Sequence, residues 1–79
     1  MHVAVELSLY PLTDQFVPPI LDFIARLRAR PGLSVVTNSM STQVSGEFDA
    51  VFEALNAEMR RSFEGDRRAV FVMKVIGTP

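Results

Sequence analysis

From Val3 to Pro11 the chain reads Val-Ala-Val-Glu-Leu-Ser-Leu-Tyr-Pro. Its strict alternation fixes a strand with two unlike faces. Val3, Val5, Leu7 and Leu9 point one way as plain core. His2, Ala4, Glu6, Ser8 and Tyr10 point the other. That second row sets a carboxylate, a hydroxyl and a phenol side by side, so it can offer one ligand a charge, a hydrogen-bond partner and a flat ring. A solvated sheet face is the plainer reading of the same row.

A chain of 79 residues is one domain, expected to span 1–79, and at 48% hydrophobic it carries more apolar surface than so small a core can bury. A homo-oligomer, a dimer or larger, is the expected consequence. There is no cysteine to staple the fold and only one histidine, His2. Disulfides, a thiolate metal centre and a multi-histidine site within one chain are therefore excluded. A net charge of −1 and a pI near 5.7 argue against nucleic acid as a partner. The arginines cluster as Arg26/Arg28/Arg30, Arg60/Arg61 and Arg67/Arg68 and read as solvated helix ends. No leader pattern opens the chain, and no apolar run approaches the roughly 20 residues that span a bilayer. The expectation is a cytoplasmic protein without membrane insertion.

Pro11 ends the first strand, and Pro18-Pro19 suit the first turn of a helix from about Val17 to Arg30. Phe16, Ile20, Phe23, Ile24 and Leu27 recur at helical spacing as its apolar face, and Gly32 supplies the permissive backbone that closes it. Leu33–Thr37 and Ser41–Ser45 read as two strands joined by an Asn38-Ser39-Met40 turn, hence an antiparallel hairpin. Gly46 opens a second helix with Glu47 and Asp49 in its first turn. Phe48, Val51, Phe52, Leu55 and Met59 form its stripe, Phe63 extends it, and Glu64-Gly65-Asp66 ends it. Ala69–Ile76 is the last strand. Lys74 shares a face with Val70, Val72 and Ile76, which sends Ala69, Phe71, Met73 and Val75 to the core.

The order β-α-β-β-α-β predicts an α+β, ferredoxin-like fold: a four-stranded antiparallel sheet, spatial order 4-1-3-2, with two helices on one face. The first and third strands are then central. Their helix-free side carries Glu6, Ser8 and Tyr10 together with one parity of Ser41–Ser45, and Val70, Val72 and Ile76 beside them form a candidate dimer surface. Fold alone assigns no function. A metal carrier would need Cys-x-x-Cys where this chain has Tyr-Pro-Leu-Thr. An RNA-recognition domain needs aromatics on both central strands, and the third strand has none. An acylphosphatase needs an arginine after the first strand, and none precedes Arg26. A small dimeric enzyme using Glu6 as base stays open, as does a structural domain whose open face is consumed by oligomerisation.

Two stretches carry a resemblance. Leu7-Ser8-Leu9-Tyr10-Pro11-Leu12-Thr13-Asp14-Gln15-Phe16 resembles the first-strand motif of the YkoF-type thiamine/hydroxymethylpyrimidine-binding family, Ser-Leu-Tyr-Pro-Met-Thr-Asp-Asp-Phe or close to it. Thr37–Gly46 is similar to its hairpin, and Asp49-Ala50-Val51-Phe52 to its Asp-x-Val-Phe helix. Where this chain has Asn38, the family pattern has an acid. The YkoF type also carries two such domains in tandem, a pair that a homodimer would restore here. The resemblance implies a ferredoxin-like module that binds thiamine or its hydroxymethylpyrimidine moiety without catalysis and without a further cofactor. The residues expected to meet the ligand are Glu6, Ser8, Tyr10, Asn38, Met40, Ser41 and Thr42. Glu6 would accept from the amino group or offset the thiazolium. Ser8, Ser41 and Thr42 would satisfy the pyrimidine nitrogens, with Asn38 beside them in the turn. Tyr10 would stack on a flat cation, worth about 0.5–2 kcal/mol, and Met40 would close over the ring.

Overall fold

The computed structural model describes residues 1–64 and 68–78. Six elements follow one another: β1 (His2–Pro11), α1 (Val17–Arg28), β2 (Ser34–Thr37), β3 (Thr42–Glu47), α2 (Phe48–Phe63) and β4 (Ala69–Thr78). The strands form one antiparallel sheet in the order β2-β3-β1-β4, which is the expected order read from its other edge. The architecture is ferredoxin-like. The alternation of β1 governs it: Val3, Val5, Leu7 and Leu9 pack with Phe23, Leu27, Val44, Val51 and Leu55 in one core, and the other face of the sheet is free of helices. Each such side chain contributes about 1.5–3 kcal/mol on burial.

Local chemistry sets the element ends. Prolines stand in the first turn of α1, where a missing N–H breaks no hydrogen bond. The helix stops at Arg28, two residues earlier than the sequence pattern predicts, because the chain tightens there: the Arg30 N–H donates to the Leu27 carbonyl. Gly32 then takes a φ of +81°, as expected of the residue that closes the turn. Gly46 does not open α2. It belongs to β3, which stays paired with β1 as far as His2↔Glu47. The constraint on it is a close approach, since a Cβ there would lie 3.1 Å from the Gly32 carbonyl oxygen. Glu47 is the N-cap of α2 and Asp49 lies in its first turn. Of the expected terminator, Glu64 caps the helix, whereas Gly65 and Asp66, like Arg67, lie outside the described residues.

Three packing expectations need correction. Phe16 is not core: it sits exposed at the N-cap of α1, before the helix begins to face the sheet. Along β4 the core ends early. Ala69 and Phe71 pack inward, Phe71 with its ring 5.1 Å from Phe23 and edge-on to Phe63 at 5.4 Å. Met73 and Val75 remain 38% and 51% exposed, because α1 and α2 lie mainly over β1, β2 and β3 and leave the second half of the edge strand uncovered. The first arginine cluster is not simply a solvated helix end either. Arg26, 12% exposed, donates to Asp22 Oδ2, to the carbonyl and carboxylate of Glu58 and to Ser62 Oγ. Arg30 donates to the second Glu58 oxygen at 2.9 Å. This network ties α1 to α2.

Candidate functional site

The site begins with a mismatch in strand length. Pairing of β1 with β3 stops at Leu7↔Thr42, whereas pairing with β4 continues to Pro11↔Ala69. Ser8–Pro11 therefore project beyond β3 on a two-stranded ribbon, and the β2–β3 turn ends beside them. Asn38 builds that turn. Its Oδ1 accepts from the Met40 N–H at 2.8 Å and the Ser41 N–H at 3.0 Å, while its own N–H donates to the Ser41 carbonyl at 3.1 Å. The side-chain oxygen is thus spent on the turn, and the amide NH2 is the group left to address a ligand.

On the helix-free face the turn meets the polar row of β1. The Ser41 hydroxyl donates to Glu6 Oε2 at 3.1 Å, Lys74 Nζ stands 3.9 Å from Glu6 Oε1, and the Ser8 hydroxyl donates to the Met40 carbonyl at 3.4 Å. Lys74 is there because β4 pairs it directly with Glu6 and sets Val72 opposite Ser8. The result is a groove of about 510 Å³ that holds Glu6, Ser8, Tyr10, Asn38, Met40 and Ser41 with Val72 and Lys74. Six of the seven residues singled out in the sequence thus line one concavity. The Tyr10 ring and the Met40 side chain are largely exposed beside it.

Thr42 lies elsewhere. It pairs with Leu7 and so shares the helix-facing side. It is 7% exposed, with its hydroxyl 3.0 Å from that of Thr37. It does not line the open-face groove. It lines a second, more apolar cleft of about 460 Å³ on the other side of the same turn, walled by Phe16, Ile20, Leu21 and Ile24. Ser8, Tyr10, Asn38, Met40 and Ser41 border both hollows, so the turn and the end of β1 form a partition between a polar groove and an apolar cleft. The sequence did not reveal this cleft. Phe16 and Ile20 fall on a helical stripe that reads as core, and Thr37 becomes visible only through its pairing with Thr42. A third hollow of about 620 Å³ lies on the far side of the β1–α1 loop. Of the seven residues it holds none, and its Ser62 and Asp22 are already bonded to Arg26.

This arrangement can hold a flat, polar heteroaromatic ring. It offers a carboxylate, three hydroxyls and an amide on one side and aliphatic and aromatic walls on the other, the mix of surfaces that small-molecule sites use. Among the described residues no cluster of three or more His, Asp or Glu side chains could hold a metal, and no helix is long and apolar enough to cross a membrane.

Comparison with known proteins identifies relatives. The model of the YKOF-related family matches residues 2–75. Among solved structures, a Streptococcus pneumoniae protein superposes with a TM-score of 0.88 at 22% identity, over 100% of this chain and 89% of its own. A Thermotoga maritima protein, whose name assigns it provisionally to thiamine biosynthesis or salvage, superposes with a TM-score of 0.85 at 17% identity, over 99% of this chain and 85% of its own. At these identities the superpositions establish the shared fold. No curated protein matches the sequence.

Proposed function

The chain belongs to the YKOF-related family, and from that membership we propose that it binds thiamine or its hydroxymethylpyrimidine moiety at the end of β1, as a non-catalytic cytoplasmic module of thiamine salvage, transport or sensing. The observation that carries the reading is the convergence of Glu6, Ser8, Tyr10, Asn38, Met40 and Ser41 on one groove. The name of the Thermotoga maritima neighbour points to the same chemistry. Hydroxyls with a carboxylate at the end of β1 suit the polar and charged groups that thiamine and hydroxymethylpyrimidine carry. In this reading Glu6 serves as an acceptor: one of its oxygens already accepts the Ser41 O–H, and Lys74 stands by the other.

Calorimetric titration with thiamine and, separately, with hydroxymethylpyrimidine tests the proposal. Saturable binding of both is expected, without turnover of either. Glu6→Ala should weaken the interaction by about 1–3 kcal/mol through loss of a charge-assisted hydrogen bond. Silence with both ligands at millimolar concentration, from protein shown to be folded, would reject the assignment.

The same reading includes a second copy of the chain. Val70, Val72, Met73, Val75 and Ile76 are all exposed along β4, and β4 is an edge strand with one side unpaired. Such an edge invites pairing with another chain, so we assign a homo-oligomer joined along β4.

A further inference from the structure

The projecting end of β1 leaves main-chain groups without strand partners, and their direction can be worked out. Successive residues of a strand point their N–H and C=O groups alternately to opposite neighbours. Three hydrogen bonds fix the phase. The Leu12 N–H donates to the Arg68 carbonyl on the β4 side. The Phe48 N–H donates to the Met1 carbonyl in the β3 register. On β3 itself the Ser41 carbonyl accepts from Asn38 on the β2 side. Even-numbered residues of β1 therefore address β4, and odd-numbered ones address β3. Val3, Val5 and Leu7 face Gly46, Val44 and Thr42. The next residue of that series is Leu9. Its counterpart in register would be Met40, but Met40 has left the sheet: its N–H donates to Asn38 Oδ1, and its carbonyl takes the Ser8 hydroxyl. Among the described residues the Leu9 N–H and C=O have no partner, although the Leu9 side chain is buried and Leu9 lines the apolar cleft. Main-chain groups that a strand neighbour leaves unpaired stay free to bond a ligand.

We propose that the Leu9 N–H and C=O, exposed where β3 ends short of β1, are the recognition element for the pyrimidine: the N–H donates to a ring nitrogen, and the carbonyl accepts from the adjacent amino group. This rests on the pyrimidine-binding reading above and deepens it. The N–H and C=O of one residue point the same way from a strand and address a planar ring that carries an amino group next to a ring nitrogen. The occupant is a small ring and not an added peptide strand. Pro11, the next residue facing the notch, has no N–H with which to continue a ladder. The cleft of about 460 Å³, with Phe16 and Met40 among its lining residues, has room for a small heteroaromatic. The ring then lies on the helix-facing side with Thr37 and Thr42, and its substituent reaches past the turn toward Glu6.

Two measurements on the full chain test this, with 4-amino-5-hydroxymethyl-2-methylpyrimidine as the probe. The first is amide hydrogen exchange followed by NMR. In the free protein the Leu9 amide should exchange much faster than those of Val5 and Leu7, and saturation with the probe should slow it by about tenfold or more. The second is a chain in which the α-hydroxy acid analogue of leucine replaces Leu9, which deletes the N–H and keeps the side chain. It should bind the probe about tenfold more weakly, the loss of one hydrogen bond to a ligand, with thermal stability close to that of the parent. A Leu9 amide that exchanges as slowly as Leu7 in the free protein overturns the proposal. So does unchanged affinity of the ester chain for a probe that the parent binds, and that result leaves the pyrimidine-binding function standing. Failure of the parent chain to bind the probe removes that function, and this proposal with it.

Discussion

Glu58 shows how one residue couples charge to stability. Its carboxylate is 5% exposed and receives Arg26 and Arg30. Burial alone would push the carboxyl up; the hydrogen bonds and charges of Arg30 and Arg26 outweigh it and hold the group below the ordinary carboxylate value. A folded-state pKa below the unfolded one contributes stability above the unfolded value, and that contribution is lost as pH falls through the folded one. Acid denaturation of the parent should therefore steepen below about pH 4.5, the ordinary value. Glu58→Gln should flatten that dependence. It should also cost about 1–3 kcal/mol at neutral pH, because Arg30 loses its carboxylate and the nearly buried Arg26 keeps only Asp22. Denaturant melts of both proteins between pH 3 and 7 measure slope and offset together. An unchanged acid slope in the variant would assign the acid sensitivity to other carboxylates.

Among the elements, β1 does the most, because its two faces and two edges serve four purposes. One face seeds the core and the other carries Glu6, Ser8 and Tyr10. One edge is paired to its end by β4, and the other is released by β3 after Leu7. The site lies where that pairing stops. The opposite end of β3 depends on Gly46, whose backbone runs against the Gly32 carbonyl. A Cβ at Gly46 would stand 3.1 Å from that oxygen, 3.4 Å from Leu33 and 3.5 Å from Val51. Gly46→Ala should thus lower stability by about 1–3 kcal/mol, the ordinary cost of overpacking, as read from a denaturation midpoint. No loss would mean that the turn at Gly32 yields freely. Much at this scale was legible in the sequence. The alternation of β1, the prolines opening α1 and the stripe of α2 each reflect a local rule that needs no partner. The errors fall where a partner decides. The motif groups Thr42 with Glu6 and Ser41 on the open face, but register with Leu7 turns it to the helix side. Phe16 fits a helical stripe and yet lies outside the helix.

For the whole molecule, the sheet is wider than the helices that cover it. Met73 and Val75 on one side of β4 and Val70, Val72 and Ile76 on the other remain exposed, apolar surface of the kind that interaction sites use. If a second copy pairs along this strand, Val75→Lys with Ile76→Lys should shift the protein to a monomer while leaving its helices and sheet in place. Light scattering with circular dichroism reads both properties. A parent that is already monomeric at tens of micromolar would remove the homo-oligomer from the proposed function.

The sequence by itself determined the order of elements and the two faces of β1, because periodicity, proline and glycine act over a few residues at a time; the candidate residues of the β2–β3 turn were legible through their resemblance to a family motif. Only the tertiary structure decided which side of the sheet Thr42 serves, that Lys74 stands by Glu6, that Arg26 and Arg30 enclose Glu58, and that the Leu9 main chain is left open. Each of these depends on the register between strands or the packing between helices. Register and packing are set by contacts between residues far apart in the chain, and no local pattern encodes them.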